Sequence, residues 1–163
     1  MQRLWAPWRM TYILSEKDPE CFFCHKLQQV ADDEHNFVLF RREHAFALLN
    51  IYPYNNGHLL IAPYAHVGSL SELRREQIVE VFEVTRLCEQ VLSQAVHPEG
   101  FNIGINVGKA AGAGVEEHLH VHIVPRWNGD TNYMTTMSNT RIIPQTLEET
   151  YDMLLPFFAK RPR

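Results

Sequence analysis

Short apolar stretches separated by turn residues dominate the first third of the chain. Residues 37–42, 45–50 and 58–63 are rich in Val, Phe, Leu and Ile, which predicts three strands. Tyr52-Pro-Tyr-Asn-Asn-Gly57 between the last two has turn chemistry. The step then changes to three and four residues. Leu73, Ile78, Val81, Phe82, Thr85, Cys88, Val91, Leu92 and Ala95 mark one face of a long helix and put Cys88 in the core. Ser69-Leu-Ser-Glu72 is a capping-box pattern that would open this helix, and His97-Pro-Glu-Gly100 would end it. A strand over 101–107, a loop over 108–114, a strand over 118–124 and a short helix over 145–159 complete the reading. Strands follow one another instead of alternating with helices, so the expected class is α+β with an antiparallel sheet.

The run His118-Leu-His120-Val-His122-Ile-Val124 alternates two chemistries. Side chains two apart on a strand share a face, so three imidazoles would point one way and Leu119, Val121 and Ile123 into a core. Pro125 is expected to end the run. Folding alone does not ask for three titratable rings on one face. One metal ion cannot take all three either. At about 3.3 Å per residue, His118 and His122 start roughly 13 Å apart, against metal–nitrogen bonds of about 2 Å. The three rings must divide their roles.

The chain's 163 residues suffice for one domain with a real core, and residues 1–20, aromatic but irregular with Trp5 and Trp8, read as an extension of it. Hydrophobic content of 45% and charged content of 21% are ordinary for a globular protein. No apolar run approaches the roughly 20 residues of a membrane span, and the N-terminus has no signal-peptide core. A cytoplasmic protein without membrane partners is the expectation. The net charge of −4 and the lack of a basic stripe argue against a nucleic-acid partner.

Cys21-Phe-Phe-Cys24, in a turn-prone segment after Pro19, is by itself ambiguous between half a zinc site and a redox pair. No thioredoxin-like βαβ pattern surrounds it. A structural zinc would need two further ligands. His25, next to Cys24, would point away from a site defined by that thiol.

The triad pattern, together with Ala45-Phe-Ala-Leu-Leu-Asn50, Asn56-Gly-His-Leu-Leu-Ile-Ala-Pro63 and Asn106-Val-Gly-Lys109, resembles the histidine-triad (HIT) family of nucleotide hydrolases and transferases. The likeness covers about residues 20–127. Leu4-Trp-Ala-Pro-Trp-Arg-Met10, Pro125-Arg-Trp127 and Asn128-Gly-Asp-Thr-Asn-Tyr133 are similar to the bacterial branch that includes diadenosine tetraphosphate phosphorylases. The resemblance implies a five-stranded antiparallel sheet covered by the long helix, and a homodimer joining two sheets.

It also implies roles. Zinc-bearing members would place a structural zinc on Cys21, Cys24, His66 and His118. His120 would then be the nucleophile and His122 a phosphate ligand. A neutral imidazole is a good nucleophile near pH 7, provided its other nitrogen keeps its proton against an acceptor such as a backbone carbonyl. Attack on an α-phosphorus gives a nucleotidyl-histidine that water or phosphate resolves. Asn106 and the backbone N–H groups of Gly112, Ala113 and Gly114 would neutralise phosphate oxygens. Asn50 matches the ribose-binding position, His58 would line the base pocket, and Trp127 would stack on a base or pack the dimer. The glycine loop departs from the family pattern. One residue more separates Gly108 from His118, and Ala113-Gly114 stands where Gln or Ser is usual before the triad.

The favoured reading is an enzyme cleaving dinucleoside polyphosphates, with diadenosine tetraphosphate first. Nucleoside phosphoramidate hydrolysis is the rival activity, and a non-catalytic nucleotide-binding module the rival class. Binding alone does not require the middle histidine.

Overall fold

Strands Val38–Arg41 (β1), Ala45–Leu49 (β2), Leu59–Pro63 (β3), Gly100–Ile105 (β4) and Val121–Arg126 (β5) form one antiparallel sheet in the order β1-β2-β3-β5-β4. Among the described residues three α-helices accompany it: Phe22–Gln28 (α1), Arg75–Val96 (α2) and Leu147–Ala159 (α3). This computed structural model describes residues 21–130 and 144–160. Trp5, Trp8 and the segment Thr131–Tyr133 lie outside the described residues.

Every residue of β2 and β3 is buried, and their alternation serves two cores. Ala45, Ala47, Leu49, Leu59, Ile61, Val121 and Ile123 face Val81, Val84, Cys88, Val91 and Leu92 of α2 and Tyr151, Leu154 and Phe158 of α3. Phe46, Leu48, Leu60 and Ala62 face the other way, with Val38 and with Phe23 of α1. At roughly 1.5–3 kcal/mol for each large apolar side chain, the helix-side cluster is the main anchor of the sheet. Among the described residues no helix is long and apolar enough to cross a membrane.

Three local expectations change. The segment after Cys21 is helical, with Cys21 as N-cap and with Phe23 and Lys26 buried one turn apart; seven residues are too few to show a period in sequence. Ser69-Leu-Ser-Glu72 caps only a 3₁₀ turn, Ser69 Oγ accepting from Ser71 N–H. Buried Leu73 then takes an extended conformation, so α2 starts at Arg75, where the Gln77 side chain accepts from Arg74 N–H at 2.9 Å. Pro125 does not end the triad strand, since it pairs with Phe101 and the ladder runs to Arg126. Its carbonyl turns away from β4 to accept from Asn55 Nδ2 at 3.0 Å. The missing N–H faces the same side, beyond the last β3 pair at Ile123, so no ladder bond is lost.

Candidate active site and metal centre

Register places the triad. His122 of β5 lies between Leu60 of β3 and Gly104 of β4, on the face opposite α2. Gly104 presents no side chain, and a Cβ there would meet nothing within 4 Å, so the surface beside His122 stays open. Continued by one residue past Ile105↔Val121, the same register sets Asn106 across from His120. The first two histidines precede the formal strand, but Leu119 N–H still bonds Val67 O at 2.7 Å, which carries the extended path past them. Gly68 makes that approach feasible, because a Cβ on it would lie 2.9 Å from Glu116 O. Leu119, Val121 and Ile123 are buried, as the alternation requires.

Each imidazole has its proton placed by a backbone group or a neighbouring ring. His118 donates Nε2–H to Pro63 O at 2.8 Å, leaving the Nδ1 lone pair facing Cys21 and Cys24. His120 donates Nδ1–H to His118 O at 2.8 Å, leaving its lone pair on Nε2. A carbonyl can only accept, so both assignments follow from the geometry. His58 Nδ1 takes Tyr54 N–H at 3.0 Å and lies 3.2 Å from Asn50 Nδ2; both are donors. The proton of a neutral His58 is therefore on Nε2, which donates to His122 Nδ1 at 3.0 Å. His122 in turn carries its proton on Nε2. The outcome is a neutral acceptor at His120 beside a neutral donor at His122, with ring centroids 4.9 Å apart.

Burial favours the neutral forms of His118 and His120. It pushes the His118 imidazole down to about 4, against the Pro63 bond, with the neighbouring His66 and His120 adding to the fall. His120 is also lowered by burial, against its bond to the His118 carbonyl. Phe23 supplies much of this apolar surrounding, with its ring centroid 4.9 Å from those of both His118 and His120.

Cys21 Sγ, Cys24 Sγ, His66 Nδ1 and His118 Nδ1 lie within 4.8 Å of one another. Three sulfur–nitrogen separations are 3.4, 3.3 and 3.6 Å. A tetrahedral ion with bonds of about 2.3 Å to sulfur and 2.0 Å to nitrogen sets that edge at about 3.5 Å. The donor set therefore fits zinc in both chemistry and size. The outward nitrogens are also oriented: His118 Nε2 by Pro63 O, and His66 Nε2 toward Glu117 at 3.9 Å. His25 is turned away, its Nε2 taking a bond from Gln29 Nε2 at 3.1 Å.

The remaining expected residues divide. Asn50 follows β2 directly and is buried, with Oδ1 accepting from Tyr52 N–H at 2.9 Å. With His58 it lines a cavity of about 230 Å³ that also touches Pro53, Gly57 and Leu147. His58, expected at a base pocket, lines this cavity at 1% exposure and with both ring nitrogens engaged, and it also backs His122. The Gly57-His58 pair was visible in sequence, but its contact with a residue 64 positions on was not. Gly108 and Gly112 both take positive φ (79° and 86°), the conformation that brings glycine to the turns around Ala113 and Gly114. Trp127 stands at the far end of β5 from His120, its indole N–H donating to His97 O at 3.2 Å, and is not gathered with the triad. Sequence reasoning missed Phe23 and Tyr54, whose ring stacks on His122 at an interplanar angle of 15°.

The HIT domain family model matches residues 32–129. An AP-4-A phosphorylase of Mycobacterium tuberculosis is 38% identical over 99% of this chain and 87% of its own. An asymmetrical bis(5'-nucleosyl)-tetraphosphatase of Schizosaccharomyces pombe is 34% identical over 57% of this chain and 50% of its own. The crystal structure of a Zn-bound histidine triad family protein from Mycobacterium smegmatis superposes with a TM-score of 0.68 at 27% identity, covering 86% of this chain and 94% of that one.

Proposed function

Because the chain belongs to the HIT domain family, we propose that it is a nucleotidyl-transferring enzyme that cleaves dinucleoside polyphosphates, diadenosine tetraphosphate being the favoured substrate. The observation that carries this reading is the His118 carbonyl bond. It leaves His120 Nε2 unprotonated on the sheet face away from α2, next to a His122 whose Nε2–H is a donor.

His120 Nε2 attacks an α-phosphorus, the polyphosphate leaves, and a nucleotidyl-histidine remains. His122 donates to a phosphate oxygen as charge moves onto the leaving group. Asn106 and the backbone N–H groups of Gly112, Ala113 and Gly114 hold non-bridging oxygens, and Asn50 holds the ribose. Phosphate or water then attacks the intermediate and restores His120. Cys21, Cys24, His66 and His118 hold a structural zinc with no open position. That centre ties α1 to the segment that carries the nucleophile.

The working unit is a homodimer extended through β4, the sheet edge at which Asn102, Ile103 and Gly104 are exposed. A cytoplasmic location suits its thiolate ligands. Incubation with diadenosine tetraphosphate, with and without inorganic phosphate, tests the activity. ADP with ATP identifies the phosphorylase, and AMP with ATP the hydrolase. No cleavage under either condition, beside a cleaved phosphoramidate, would sink the reading.

A further inference from the structure

Outside the triad, the described residues hold a pair of thiols with two chemistries open to it. Cys21 and Cys24 are half-buried, and their sulfurs belong to a cluster no more than 4.8 Å across. One is the N-cap of α1 and the other lies three residues on, so the first helical turn holds the two thiols toward each other. Cys88, the remaining thiol, is fully buried on the opposite side of the sheet under α2. Any intramolecular disulfide compatible with this fold therefore joins Cys21 to Cys24.

We infer that this pair is a redox-labile modification site, at which a hydroperoxide forms the Cys21–Cys24 disulfide and expels the metal; this rests on the zinc assignment above. Zinc-bound sulfur remains thiolate and so keeps its nucleophilicity. One thiolate attacks a peroxide oxygen, the O–O bond breaks, and a sulfenic acid forms as one water departs. The second thiolate attacks that sulfur, the S–S bond closes, and the sulfenic oxygen leaves as a second water. Two protons and one hydrogen peroxide are consumed, two sulfurs are oxidised, and Zn²⁺ is released because two imidazoles remain where four ligands stood.

The fold directs the consequence. His118 stays anchored by its bond to Pro63 O, and Leu119 by its bond to Val67 O, neither of which involves sulfur. The C-terminal turn of α1 stays tied through Lys26, whose Nζ bonds Asn36 and whose carbonyl takes Arg41 Nη2. Only the N-terminal turn loses its clamp. That turn carries Phe23, the ring packed against His118 and His120. Oxidation thus reaches the nucleophile through its apolar cover.

The test uses full-length protein whose zinc content has been measured. Graded hydrogen peroxide is added with a chromophoric chelator present, and peptides are mapped by mass. The expected result is one zinc lost per disulfide formed, a Cys21–Cys24 peptide lighter by two hydrogens, and turnover falling in proportion to zinc lost. A dithiol plus zinc should restore both. Protein that neither contains nor takes up zinc overturns the metal assignment and this inference together. Zinc that stays bound through oxidation, or that leaves with sulfinic acids and no disulfide, overturns this inference alone.

Discussion

The Nδ1–H of His120 donates to the carbonyl oxygen of His118, two residues earlier, at 2.8 Å. A local backbone bond thereby fixes which nitrogen of the central histidine is free. The same residue 118 presents its own Nδ1 to two cysteine sulfurs, at 3.4 and 3.6 Å. One residue connects the candidate metal centre to the tautomer of the candidate nucleophile.

Removal of metal should therefore be felt in stability. Purified protein is expected to contain about one zinc per chain, and strong chelation to lower its melting temperature, since metal binding free energy is folding free energy. Cys24→Ser should bind zinc far more weakly. A metal-free protein that melts at the same temperature would refute the assignment.

His58→Phe keeps ring volume in a fully buried position but removes the donor to His122 Nδ1. His122 can then hold its proton on either nitrogen. Turnover is expected to fall roughly 10- to 100-fold, the scale of losing an orienting partner, with a smaller change in KM. Full activity in a correctly folded His58→Phe protein would show that the ring pair does not set the donor.

The acid limb of kcat/KM for a fully ionised substrate should lie below pH 6.5, the ordinary histidine value. Burial disfavours the imidazolium form of His120, so its folded-state pKa is lowered. The lone pair is present above that lowered value and is lost as pH falls through it. An acid limb at or above pH 6.5 would contradict this environment.

Much of this was legible in the chain because it depends on alternation. The three histidines share a face for the same reason that Leu119, Val121 and Ile123 are buried, and the helical step through Val81, Cys88, Val91 and Leu92 marked the side of α2 that covers the sheet. Leu73, however, precedes the helix, and Phe82, expected on that face, is exposed while Val84 is buried. What sequence did not show depends on register between distant segments. Leu60↔His122 brings His58 beside His122, and nothing local to Gly57-His58 announces it. Helix α1 was hidden by its length. Its Phe23 counts as apolar in any reading, but its contact with two histidine rings comes only from packing.

Tyr151 of α3 is buried, and its hydroxyl donates to Val38 O at 3.2 Å, where the pairing of β1 with β2 shifts register. Tyr151→Phe leaves that carbonyl without its donor. The expected cost is about 1–3 kcal/mol, read as a lower urea midpoint with unchanged slope. An unshifted midpoint would mean that water replaces the hydroxyl.

The decisive variant is His120→Asn. The Asn Nδ2–H can replace the Nδ1–H donor to His118 O, so the strand and the metal centre should stay intact. What it lacks is a lone pair on nitrogen able to attack phosphorus. Turnover should fall by several orders of magnitude, as when other catalytic nucleophiles are removed, while melting temperature and nucleotide affinity change little. His122→Ala should cost less, roughly 10²- to 10³-fold, because it removes a donor to developing charge and not the bond-forming atom. It should also slow the second step enough for a nucleotidyl-protein on His120 to be trapped and mapped. Substantial turnover by His120→Asn, or a nucleotide trapped on another residue, would overturn the division of labour proposed for the triad.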